Sequence, residues 1–138
     1  MELQGCINYL LTVAQHDVFQ LFSEGLAPFH ITPGQYGVLR CLWEDGPCTP
    51  KEIAQVLRLE NSTVSGVLDR MEKKGLIERV IDKKDRRSIQ VKATQAGIAM
   101  RDDVLQVIHT LNEQVLDSLD PELRKTFLQC LRQVGKVE

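Results

Sequence analysis

Apolar residues recur at helical spacing through most of the chain and alternate in only one short region. Ile7, Leu10, Leu11, Ala14, Val18, Leu21, Phe22 and Leu26 share one face of a helix running from about Ile7 to about Leu26. Pro28 and Thr32-Pro33-Gly34 punctuate it. Thr32 can cap a second helix with Pro33 at its first position, and Tyr36, Val38, Leu39, Leu42 and Trp43 form its apolar face. Asp45-Gly46-Pro47 stops that helix. Thr49-Pro50-Lys51-Glu52 has the spacing of a capping box: the Thr49 hydroxyl accepts from the Glu52 N–H, and the Glu52 carboxylate reaches back to the Thr49 N–H. The helix it opens is short, with Ile53, Ala54 and Leu57 inward. After a polar break at 58–61, Val64, Val67, Leu68 and Met71 mark another helix. Lys73, Lys74 and Gly75 end it, because cations meet the negative end of the dipole and glycine takes a left-handed backbone. Two short helices across a tight turn are the helix-turn-helix plan.

The period then changes. Residues 76–81 read as a strand rich in β-branched residues, and 88–93 as its partner, with Ile89 and Val91 inward. Between them Asp82-Lys83-Lys84-Asp85-Arg86-Arg87 forms a charged hairpin tip, a wing. Thr94-Gln95-Ala96-Gly97 caps a further helix that keeps a Val104, Ile108, Leu111, Val115 stripe to about Leu116. Asp120-Pro121-Glu122 caps a last one with Leu123, Phe127, Leu131 and Val134 on one face. The expected fold is mainly α with a small β-wing: a winged helix-turn-helix of about six helices and a two- or three-stranded sheet. The winged lobe is expected at 31–97 and dimerisation helices at 1–30 and 98–138.

Composition agrees with one such chain of 138 residues. It is 43% hydrophobic and 26% charged, enough to bury a core and stay in solution, and only 5% aromatic, which leaves an aliphatic, mostly helical interior. No stretch approaches the roughly 18–20 uncharged apolar residues that span a bilayer, so no membrane partner is expected. Met1 leads into Glu2 rather than into a basic, then apolar leader, so no secretory signal is expected. Cys6, Cys41, Cys48 and Cys130 are scattered without a CxxC pair, as in a cytoplasmic protein.

Net charge of −2 looks wrong for a nucleic-acid partner until it is mapped. Residues 58–92 hold ten Lys/Arg against six Asp/Glu, while the remainder holds seven against thirteen. One region attracts phosphate and the body repels it, which fixes orientation on double-stranded DNA. Asn61-Ser62-Thr63-Val64-Ser65-Gly66 opens the second helix of the motif. Ser62, Thr63 and Ser65 are small hydroxyl donors that let a helix N-terminus sit close to phosphates and bases, although ordinary N-capping by Asn61 or Ser62 would also account for the start. Arg70 and Lys73 follow on the same helix. Lys83, Lys84, Arg86 and Arg87 crowd the wing, where an arginine can enter a narrow minor groove and Asp85 can fix its direction. A solvated hairpin is the alternative for that charge run.

Five pieces in order then identify a family. Ile31-Thr32-Pro33-Gly34-Gln35-Tyr36, Thr63-Val64-Ser65, Asp69-Arg70-Met71-Glu72-Lys73-Lys74-Gly75-Leu76-Ile77, Asp85-Arg86-Arg87-Ser88 and Thr94-Gln95-Ala96-Gly97 resemble the MarR family of multiple-antibiotic-resistance-type regulators. The resemblance implies a triangular homodimer, a recognition helix at 62–74 and a wing Asp-x-Arg element in which Arg87 reads the minor groove and Asp85 supports it. It implies a transcriptional regulator, more commonly a repressor, on a pseudo-palindromic operator. Gly66 departs from the larger, often basic residue of many relatives, and Ala93 from a large aliphatic.

Many members of that family release DNA when a small aromatic or phenolic acid binds between the dimerisation helices and the winged lobe. Phe19, Phe29, His30, Tyr36 and Trp43 are the candidate lining, with core packing as the alternative role. The hydroperoxide-sensing branch uses a cysteine near the start of the first helix. Cys6 lies close to that region, while the branch's position aligns nearer Asn8. His16, His30 and His109 lack metal-ligand spacing, so no metal is expected. No phosphate loop, nucleophile motif or acid pair points to catalysis, and no cofactor is expected. A winged-helix interaction module without DNA affinity is the remaining alternative.

Overall fold

The computed structural model describes residues 2–138; Met1, the first residue of the expected 1–30 segment, lies outside them. Seven α-helices and one two-stranded antiparallel sheet form the described residues: α1 (Ile7–Leu26), α2 (Pro33–Asp45), α3 (Pro50–Leu57), α4 (Asn61–Lys73), β1 (Ile77–Ile81), β2 (Ile89–Ala93), α5 (Gln95–Ala99), α6 (Arg101–Leu116) and α7 (Pro121–Gly135). Single 3-10 turns precede and follow α1. The expected winged helix-turn-helix is present.

Its core gathers the inward stripe of each element. Val38, Leu39 and Leu42 of α2 meet Ile53 of α3, Val64, Leu68 and Met71 of α4, and Val91 of β2, all buried. Leu26 at the end of α1 and Val104, Ile108 and Leu111 of α6 extend the cluster. At Gly25 an added Cβ would stand 2.8 Å from a Leu111 methyl, so the glycine lets α1 approach α6.

The helix starts differ from expectation in instructive ways. Thr32 and Gln35 form the complete capping box, with the Gln35 N–H donating to Thr32 Oγ1 at 3.1 Å and the Thr32 N–H to Gln35 Oε1 at 3.2 Å. Thr49 makes only half of one: its hydroxyl accepts from the Glu52 N–H at 3.1 Å, and the Glu52 carboxylate does not return the bond. Asn61 and Ser62 do not cap α4. They are its first two residues, behind Glu60, which caps with no side-chain bond. Asp120 likewise precedes α7 without a side-chain bond.

Gly75 has the expected positive φ of 75°, which ends the turn after α4 and sends the chain into β1. The strands pair in register from Ile77↔Ala93 to Ile81↔Ile89, and Cys48 adds a one-residue third strand by exchanging both backbone bonds with Val91. Val91 is buried, but Ile89 is 47% exposed, contrary to expectation. It pairs with Ile81 beside the hairpin tip and borders an open cavity with Thr49, Pro50 and Asn61 rather than the packed core.

The Thr94-to-Gly97 motif locks the wing back to the core. Thr94 Oγ1 donates to the Gly75 carbonyl at 2.6 Å and accepts from the Gly97 N–H at 3.2 Å, and Trp43 Nε1 donates to the Gly97 carbonyl at 3.0 Å. A Cβ on Gly97 would come within 2.3 Å of the Leu76 carbonyl oxygen, so no side chain fits there. The helix it caps is short. A break at Met100 separates α5 from α6, where one continuous helix was expected.

Candidate nucleic-acid interface

The amphipathic period of α4 sorts its residues cleanly. Val64, Leu68 and Met71 are buried, while Ser62, Thr63, Ser65, Arg70 and Lys73 face outward. With no side-chain cap from Glu60, the first N–H groups of the helix stay open to a ligand. Gly66 sits one turn before Arg70. A Cβ there would lie 3.8 Å from both terminal nitrogens of Arg70, so this guanidinium lies back over the glycine towards the N-terminal half of the helix.

The wing is ordered by its two aspartates. Asp82 accepts from the Lys84 N–H at 2.9 Å, and Asp85 accepts from the Arg87 N–H at 3.0 Å. The Asp85 carboxylate also stands 3.6 Å from Arg87 Nε. It fixes the backbone under Arg87 and stays near its guanidinium, yet leaves that side chain 95% exposed. Lys83, Lys84 and Arg86 are exposed on the same loop. A cavity of about 490 Å³, lined by Thr49, Pro50, Lys51, Asn61, Arg87 and neighbouring residues, joins the starts of α3 and α4 to the root of the wing. Sequence reasoning passed over Lys51, because a single lysine inside a cap motif carries no periodic signal.

Internal partners divide the ten basic residues of 58–92. Arg79 of β1 bridges Asp69 at 2.9 Å and Glu72 at 3.2 Å on α4. Lys74 donates to the His30 carbonyl at 2.7 Å and to Gln35 Oε1 at 3.0 Å. Lys92 pairs with Glu78 at 3.4 Å, and Arg58 donates to the carbonyls of Gly135 and Lys136. Arg87 keeps only the Asp85 contact within its own loop, and Arg70, Lys73, Lys83, Lys84 and Arg86 have no side-chain partner among the described residues; all six are exposed on α4 or the wing. Asp69, Glu72 and Glu78 are spent in those pairs, which sharpens the positive character of this region.

The candidate effector residues divide between the core and the surface. Phe29, Tyr36 and Trp43 pack against the core, Tyr36 meeting Trp43 edge-on with ring centroids 6.5 Å apart. Phe19 is 50% exposed on α1, and His30 is exposed with a left-handed backbone, φ 58°. The large apolar space lies elsewhere: a groove of about 700 Å³ between α1, α6 and α7, lined by Leu10, Val18, Phe22, Val115, Phe127 and Leu131 among others. Cys6 is half-buried just before α1, Cys130 is exposed, and Cys41 and Cys48 are buried. Among the described residues no three His, Cys, Asp or Glu converge as a metal cage, and no helix is long and apolar enough to cross a membrane.

A capped helix pair, an outward helix with a free N-terminus and an adjoining basic wing define the class of winged helix-turn-helix proteins. The model of the MarR family matches residues 31–89. The chain is 31% identical over 117 residues to the multiple antibiotic resistance protein MarR of Escherichia coli, covering 83% of this chain and 81% of that protein. It is 29% identical over 111 residues to the organic hydroperoxide resistance transcriptional regulator of Bacillus subtilis, covering 80% and 76%. Among solved structures, a probable transcriptional regulator from Pseudomonas aeruginosa superposes with a TM-score of 0.91 at 29% identity, covering 96% of this chain and 99% of that one. A mutant Escherichia coli MarR complexed with operator DNA superposes with a TM-score of 0.86 at 27% identity, covering 93% and 92%. The chain belongs to the MarR family, and so to the transcriptional regulators.

Proposed function

We propose that this chain is a homodimeric repressor that reads a pseudo-palindromic operator, with α4 in the major groove and Arg87 in the flanking minor groove. The observation that carries this reading is a set of six exposed basic side chains on α4 and the wing, five without a side-chain partner among the described residues and Arg87 held only by the neighbouring Asp85, beside a helix N-terminus with no side-chain cap. Ser62, Thr63 and Ser65 would donate to phosphates and base edges, Lys73, Lys83, Lys84 and Arg86 would hold the backbone, and Asp85 would aim Arg87. A related Escherichia coli MarR is solved in complex with operator DNA, which supports DNA as the partner.

The proposed division places the DNA-binding lobe at 31–97 and dimerisation in the helices on either side. Leu123, Phe127, Leu131 and Val134 of α7 and Ile7, Leu10, Leu11 and Val13 of α1 are exposed, and a second copy would cover them. Two-fold symmetry then sets half-sites about one helical turn, ~10 bp, apart. Release by a small aromatic or phenolic acid, and action in the cytoplasm, complete the reading.

Fluorescence anisotropy with DNA from the promoter beside its own gene tests it. The expected result is saturable binding by a dimer that weakens steeply with salt, as phosphate contacts release counterions. Salt-independent binding, or none to any neighbouring promoter, would overturn it and favour an interaction module.

A further inference from the structure

A small pit of about 140 Å³ opens between the end of α2 and the start of α3. Cys41, Asp45, Pro47, Cys48, Glu52, Ile53 and Val56 line it. The two cysteines are its buried donors, 6% and 5% exposed, while Asp45, Pro47, Glu52 and Val56 stand exposed around its rim. Burial first, then Cys48, Asp45 and Glu44, push the Cys41 thiol up, and burial, then Glu52 and Asp45, push up that of Cys48.

We propose that Cys41 and Cys48 form a dithiol site for a two-coordinate thiophilic divalent cation, which reaches them through the mouth flanked by Asp45 and Glu52. Thiolates are the soft ligands such ions select. Divalence suits burial, because one doubly charged ion and two thiolates make a neutral unit, whereas a singly charged ion would leave a net charge in a poorly solvated pit. The carboxylates supply attraction at the rim rather than coordination, since among the described residues no third metal-binding side chain converges with the thiols. That excludes a four-coordinate ion of the zinc type. In the step itself two S–H bonds break, two metal–sulfur bonds form and two protons pass to solvent, with no electron transferred.

Occupation would be felt in the wing. The Cys48 N–H donates to the Val91 carbonyl at 3.0 Å, and the Val91 N–H donates to that of Cys48 at 2.7 Å. Cys48 Sγ donates to the Gly46 carbonyl at 3.2 Å, a bond that metal binding removes along with its proton. Drawing Cys48 towards Cys41 therefore pulls on the bridge that anchors β2, two residues beyond Ile89 at the root of the wing.

The test is titration of a chain carrying Cys6→Ser and Cys130→Ser, which leaves only the two buried thiols, with mercuric chloride in excess glutathione. The expected result is one ion per chain, a thiolate-to-metal ultraviolet band, and loss of both titratable thiols together. Amide exchange at Val91 should quicken about tenfold as the bridge loosens. Cys41→Ala and Cys48→Ala, each checked for native circular dichroism, should each weaken retention about a hundredfold or more, because the second thiol no longer acts at high effective concentration. Zinc should not bind. Two ions per chain, retention unchanged in a folded single-cysteine variant, or a zinc complex of equal strength would overturn the site. Unchanged exchange at Val91 on a loaded chain would overturn its link to the wing.

Discussion

Arg58, in the turn between α3 and α4, donates through Nη2 to the carbonyl oxygen of Lys136 at 2.6 Å, and through Nη1 to that of Gly135. Both ends of this contact are left-handed helix caps, each with φ 54°. The guanidinium satisfies carbonyls that α7 leaves orphaned and meets the negative end of its dipole. Burial in α7 is slight, for none of its residues is fully buried. Arg58 is therefore a tie between the terminal helix and the helix-turn-helix motif.

Arg58→Ala should loosen that tie. The group is exposed, so the loss is about 0.5–1 kcal/mol rather than the larger value of a buried charged bond. Arg58→Gly should be less harmful, by about 0.5–1 kcal/mol, because glycine adopts the left-handed cap without strain. Urea midpoints of the two variants measure the difference, and amide exchange over 129–137 should rise in both. Equal midpoints would mean that the cap conformation carries no strain.

Arg87 and Arg79 should separate binding from folding. Arg87→Ala should weaken operator binding by about 1–3 kcal/mol and leave the thermal midpoint unchanged, since the side chain is 95% exposed and supports nothing in the fold. Arg79→Met should do the reverse first: it leaves Asp69 and Glu72 as unpaired like charges on α4, lowers the midpoint, and weakens binding only through a less firmly held helix. Anisotropy titrations beside thermal melts distinguish the two.

That separation also marks what the sequence could reveal. Helix limits were legible wherever a cap or stop is local: Thr32 before Pro33, Gly75 after Lys74, and the apolar period of α4 all act within a few residues. The use of each cation was not, because Arg79, Lys74 and Arg58 find partners 7 to 78 residues away. Ile89 and Val91 have the same pattern in sequence, and only what each borders in the fold, an open cavity or the packed core, separates them. Among the aromatic candidates Tyr36 and Trp43 meet edge-on while Phe19 stands exposed, a division that composition does not carry. Composition names Tyr36 and Trp43 as possible lining, but Trp43 Nε1 is already committed to the Gly97 carbonyl.

Gly97→Ala should be among the most damaging small substitutions. Its Cβ would meet a backbone oxygen at 2.3 Å, and a backbone group cannot swing aside as a side-chain tip can. The cost should be about 1–3 kcal/mol, as for other overpacked sites. Gly34→Ala, where the new Cβ meets only Thr32 Oγ1 at 3.9 Å, is the control and should be close to neutral. Urea denaturation of both variants provides the comparison.

Alkaline pH should destabilise the fold through the Cys41 and Cys48 thiols and Tyr36. Burial is the first cause of the raised values of Cys41, Cys48 and Tyr36. In the unfolded chain the thiols ionise near 9.0 and the phenol near 10.0, while the folded chain holds those protons to higher pH. Above pH 9.0 the unfolded state thus binds fewer protons than the native one, and stability falls as pH rises. The contribution is fully present below the unfolded values and lost as pH passes through the folded ones. Urea midpoints should stay level across neutral pH and decline above pH 9.0. In a Cys41→Ala, Cys48→Ala chain the first part of that decline should shrink and the part due to Tyr36 should remain. An identical alkaline profile in the double variant would show that these thiols ionise alike in both states and that their burial costs the charged form nothing.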